Sequence, residues 1–287
     1  MKVSISRITA LGIAAIFTMP AAHATVVTAN SPGGDAYTFA GGSPGGGQAV
    51  GTSGWYYNNV RSNAVIGIDG DYPRSGNGSV SFTAPAGSKA DIEYLPGAVK
   101  VGSLYASTSS LGLFSTLQSM SYDWYRDATS AAAANLHPSL RVLLDRDGNL
   151  ATTNDRGGLV FERSYNTPGA VPVDAWQSDT VSASTKMWNF SLGLGSEYDL
   201  NGNGYAFDSS LADWQAFMPN ALIIGFSSGV GSGWGAYNGA VDNISWTIAG
   251  LTTTTNFERS ADVPEPASLG LLAIGLAGLA LRRRKPN

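Results

Sequence analysis

Apolar and polar positions follow three different patterns along the 287 residues. Behind a basic start (Lys2, Arg7), an apolar stretch runs from Ile8 to Met19 and ends at Ala22-His23-Ala24. From residue 55 the chain turns to short alternating runs divided by turn residues. Ala267 to Leu281 is then apolar throughout, and Arg282-Arg283-Arg284-Lys285 follows. Within the middle, Gly78–Phe82, Ala90–Leu95 and Ser119–Arg126 alternate as half-buried strands do. Leu140–Leu144 leads into the turn Asp145–Asn149, and Gly158–Arg163 can return from it as a hairpin partner. Val171–Val181, Ala221–Ser227 and Ala240–Ile248 read as further strands, the last completing a sheet. Ser209–Met218 is the best helix, with a serine cap, apolar residues at 211, 214 and 218, and Pro219 to stop it.

Many short strands with little helix predict an all-β fold, an antiparallel β-sandwich of jelly-roll type. An N-terminal signal helix and a short C-terminal transmembrane helix flank it. The expected organisation is a signal peptide over 1–24, a Gly/Pro/Ser-rich segment over 25–54 with a short strand at Tyr37–Phe39, and a sandwich over 55–250. A linker over 251–262 and a sorting signal over 263–287 complete it.

The basic start, short apolar core and Ala-x-Ala site predict export and cleavage by signal peptidase before Thr25. At the other end, fifteen residues are a marginal membrane span, and the arginines hold its end on the cytoplasmic side. The chain would thus rest in the inner membrane in transit.

Pro264-Glu265-Pro266, the apolar run and the cluster Arg282, Arg283, Arg284 together resemble the PEP-CTERM sorting signal. That resemblance implies recognition by an exosortase, a transpeptidase-like membrane enzyme. It also implies a Gram-negative, exopolysaccharide-making host and a destination at the cell surface, outer envelope or extracellular biofilm matrix. More weakly, the glycine-rich run into Val241–Trp246 resembles the closing strand of concanavalin-like or galactose-binding-like jelly rolls.

Composition narrows function further. With no cysteine, disulfides, thiolate metal sites and cysteine nucleophiles are excluded. The two terminal signals hold six of the 17 basic residues and one of the 21 acidic ones, so residues 25–262 carry a net charge of −9. Such a surface lacks the clustered cations that nucleic acid requires.

Candidate chemistry is sparse. Asp199, Asn201 and Asn203, with Gly204, match the start of an EF-hand-type calcium loop, and Asp208 offers a further oxygen. Asp145 and Asp147 repeat that oxygen spacing, and Asp242 is a separate calcium candidate by the jelly-roll resemblance. All of these are also ordinary turn formers. Trp234 and Tyr237, in a glycine-rich loop, are candidate sugar-stacking rings. Asp91 and Glu93 share one strand face. His137, the one histidine left after signal removal, reads as a surface residue, and no catalytic residues are assigned. The expectation is a non-enzymatic surface or matrix protein. The alternatives are a calcium-assisted carbohydrate-binding module, with exopolysaccharide as partner, and a glycan-active enzyme.

Overall fold

The computed structural model describes residues 24–259. The expected signal helix and transmembrane helix lie outside them. No helix among the described residues is long and apolar enough to cross a membrane.

Two sheets make up the fold. The eight-stranded sheet contains β1 (Thr25–Thr28), β2 (Tyr37–Thr38), β5 (Val65–Asp69), β6 (Ser79–Ala84), β10 (Leu117–Arg126), β13 (Gln177–Val181), β16 (Tyr237–Ile248) and β17 (Leu251–Glu258). The seven-stranded sheet runs β14 (Trp188–Ser191), β12 (Arg156–Phe161), β11 (Ser139–Asp145), β15 (Leu222–Val230), β7 (Lys89–Tyr94), β4 (Trp55–Arg61) and β3 (Gly46–Ala49). A separate hairpin joins β8 (Val99–Val101) to β9 (Leu104–Ala106). All the named strand pairs are antiparallel except β1 with β17. This mostly antiparallel two-sheet arrangement is consistent with the jelly-roll-like sandwich expected.

Alternation along the strands supplies the core. In β11, Leu140, Val142 and Leu144 are buried inward, while Ser139, Arg141 and Leu143 take the opposite face. The two inner faces meet through aromatic rings. Phe226 of the seven-stranded sheet stacks on Trp246 of the other, centroids 4.3 Å apart and planes 11° from parallel. Beside them Trp55 meets Phe257 edge-on at 4.9 Å. Such pairs contribute about 0.5–1.5 kcal/mol each beyond the area they bury.

Three boundaries differ from the sequence reading. Residues 251–258, expected as linker, form β17, whose Phe257 is fully buried. β16 therefore does not close the fold. It is a central strand, bonded along one edge to β10 and along the other to β6 and then β17. Residues 25–54, expected as a segment apart from the sandwich, supply β1, β2 and β3 to both sheets. The run from Val171 is strand only over Gln177–Val181.

Among the described residues the one α-helix, α1 (Leu211–Phe217), lies where its cap and proline put it. Ser210 and Asp213 form a reciprocal capping box. Trp214 is buried, and its indole N–H donates to the Met187 carbonyl at 3.0 Å.

Candidate functional site

The outward face of the seven-stranded sheet forms the floor of a cleft of about 990 Å³. Alternation places its residues. Lys89, Asp91 and Glu93 point outward from β7 while Ala90 and Ile92 point into the core. Arg141 does the same from β11, and Glu162 follows at the end of β12.

At the centre of the floor Arg141 Nη1 donates to Asp91 Oδ1 at 2.6 Å, and both side chains are buried. Lys89 Nζ lies 3.2 Å from Asp91 Oδ2, which also accepts from Asn59 Nδ2 at 3.0 Å. Burial by itself would raise the Asp91 carboxyl. The charges of Arg141 and Lys89 outweigh burial and hold Asp91 below the usual carboxylate range. Burial lowers Lys89, with Asp91 opposing.

Glu93 behaves oppositely. Burial, and then the neighbouring Asp91 charge, push its carboxyl up to about 7, although Asn58 Nδ2 donates to Oε2 at 2.6 Å. Burial also raises Glu162. The floor thus combines a fixed ion cluster with two carboxyls that retain protons more readily than usual.

Aromatic rings stand along the rims. Tyr105, on the β8–β9 hairpin, is tied to the floor by Asn58, which donates to its carbonyl at 3.0 Å and accepts from its N–H at 3.1 Å. Trp188 lies on the edge strand β14, at the other side of the sheet. Trp234, expected as a sugar-stacking ring, lines the cleft. Tyr237, expected as a second stacking ring, does not. It is 1% exposed, its hydroxyl donates to the Tyr125 carbonyl at 3.0 Å, and its ring meets Trp234 edge-on. As the first residue of β16 it is held in the sheet, where the strand pleat turns it inward.

The calcium candidates fall into three separate places. Asp199 accepts from the backbone N–H of Gly202, Asn203 and Gly204, and the amides of Asn201 and Asn203 donate to Asp208 in an exposed loop. Asp242 is fully buried in β16, where one oxygen accepts from Phe257 N–H at 2.9 Å and the other has no partner. Burial pushes it up to about 7. Asp145 and Asp147 sit at the β11–β12 connection and gain a third acid there, Asp155.

His137 is not on the surface. It is 3% exposed and stacks on Trp124 at 4.3 Å, with Nδ1 3.1 Å from the Tyr122 hydroxyl. Burial lowers it to about 4, so it is neutral at pH 7.

Beyond the sandwich, β17 leads towards Val263-Pro264-Glu265-Pro266, the apolar run and Arg282–Arg284. Residues 262–285 match the PEP-CTERM protein-sorting motif. That motif is the recognition signal of exosortases, so the chain is an exported protein with an exosortase as its processing partner. The PEP-CTERM match begins four residues after β17 ends, which places the sandwich directly before the sorting tail. No curated protein and no solved structure matches the chain.

Sequence reasoning named Asp91, Glu93 and Trp234 but missed Arg141, Glu162 and Tyr105. A legible signal existed for Arg141, which interrupts the apolar run Leu140 to Leu144 at an alternating position. A charge there must find a partner or face outward.

Proposed function

We propose that this exosortase-sorted protein acts at the cell surface or in an exopolysaccharide matrix, without catalysis, by holding glycan in the cleft. One observation carries the reading. A floor of hydrogen-bonding groups, Asp91, Glu93, Asn59 and Arg141, lies between rims bearing Tyr105, Trp188 and Trp234. Sugar rings offer apolar faces and polar edges, and this pairing suits both. The cleft lining sets four cations, Arg61, Lys89, Arg141 and Arg156, against four acids, Asp91, Glu93, Glu162 and Glu197, a balance that favours an uncharged saccharide over a strongly anionic ligand.

The test is retention of the purified chain on exopolysaccharide from its host, compared with Trp234→Ala. Retention by the parent chain that the variant loses, with an unchanged melting temperature, supports glycan binding. Equal retention of both, or of neither, overturns it.

A second reading, a glycan-active enzyme, is favoured by Glu93 and Glu162. Two carboxyls with raised proton affinity share this cleft, and general acids in glycoside hydrolysis need that property. Release of reducing ends from the polysaccharide, lost in Glu93→Gln, would select it.

A further inference from the structure

The hairpin between β11 and β12 gathers three acids from one short stretch of chain. Asp145 ends β11, Asp147 lies in the turn, and Asp155 directly precedes β12. A carboxylate oxygen from each lies within 4.8 Å of the others. That span equals two calcium–oxygen bonds of about 2.4 Å laid end to end.

Asp145 and Asp155 are buried, at 0% and 3% exposure, and Oδ1 of each has no hydrogen-bond partner. Their other oxygens are engaged. Asp145 Oδ2 accepts from Arg156 Nε at 3.1 Å, and Asp155 Oδ2 accepts from Asp147 N–H at 2.8 Å. An orphaned buried carboxylate oxygen is costly, and here there are two beside a third like charge. Arg156 offsets one charge of the three.

We infer that Asp145, Asp147 and Asp155 form a binding site for a hard divalent cation, calcium by preference. The cation supplies the partner that both orphaned oxygens lack and balances the two remaining charges. All three donors are oxygens, the ligand type calcium selects, and the loop can add carbonyls and water to reach six or more. Asp147 is exposed, which leaves the cation a route in.

The site also reaches the cleft. Arg156, paired with Asp145, donates through Nη1 to the Ser107 carbonyl at 3.0 Å, and both residues line the cleft wall. Cation binding therefore braces that wall.

The experiment is calorimetric titration of calcium chloride into the chelator-treated full-length chain in detergent, with melting temperature recorded alongside. The expected result is saturable binding and a raised melting temperature, both lost in Asp155→Asn and in the more conservative surface change Asp147→Asn. Magnesium should bind more weakly, because it demands near-ideal octahedral geometry whereas calcium accepts irregular sets of six to eight oxygens. Absence of binding to the parent chain overturns the inference. So does binding that survives both variants but is lost in Asp199→Asn. None of these readouts involves glycan, so failure here is separable from failure of glycan binding.

Discussion

Arg141 and Asp91 meet at 2.6 Å on the cleft floor, on strands that are not neighbours. β15 runs between β11 and β7, and the Arg141 side chain crosses it, with Nη1 3.3 Å from Ser227 Oγ on that strand. The pair therefore ties three adjacent strands beneath the site. Removing one partner of a buried ion pair strands the other charge. Arg141→Met should destabilise the fold by about 3–5 kcal/mol, read as a lower midpoint in urea. Combining it with Asp91→Asn, which removes the stranded charge and leaves Lys89 an amide acceptor, should recover much of that loss. A double change costing the sum of the two single ones would show that the pair is uncoupled.

Stability should respond to pH through groups of opposite sign. Glu93 and Asp242 titrate near 7 in the folded chain against ordinary values of 4.5 and 3.8. Their contribution is complete below those ordinary values and is lost as pH rises through 7. His137 is lowered from 6.5 to about 4, so its contribution is present above 6.5 and is lost as pH falls through 4. Two carboxyls against one imidazole predict a urea midpoint that declines from pH 5 to pH 8. Glu93→Gln or Asp242→Asn should each flatten that decline. NMR titration of the single imidazole left after signal removal should give a value near 4.

The strand β17 is an integral part of the folding unit. It pairs with β16 on one side and β1 on the other, and it buries Phe257 against Trp55. A chain ending at Gly250 should lose cooperative unfolding, whereas one ending at Arg259 should keep it. Near-ultraviolet circular dichroism distinguishes them, because the Trp55, Trp246 and Phe257 cluster orders only in the complete sheet.

Why β17 escaped the sequence reading is physical. Thr252 to Thr254 are exposed or half-buried, Leu251 is 77% exposed, and the buried side of the strand holds only Thr255 and Phe257. Two inward residues give too little alternation to register. The strands β6 and β11 were legible because each turns three apolar side chains inward at every second position, Val80, Phe82 and Ala84 in one and Leu140, Val142 and Leu144 in the other. The helix was legible from Ser210 and Pro219. The cleft was legible only in fragments. Asp91 and Glu93 declare a shared face, but their partners Asn58 and Arg141 arrive from other strands, and sequence spacing carries no information about sheet order. Asp155 closes the 145–155 stretch but stands at position eleven counted from Asp145, one short of the twelfth position where an EF-hand-type loop places its carboxylate, so spacing did not assign it.

The placement of β17 bears on how the sandwich carries mechanical load. A pull on the sorting tail enters along the axis of a strand flanked on both sides, not at a loose edge. The hydrogen bonds to β16 and β1 lie across that direction, so they are sheared together and do not peel one after another. Force arriving through the C-terminal end of β17 is thus shared between two neighbouring strands.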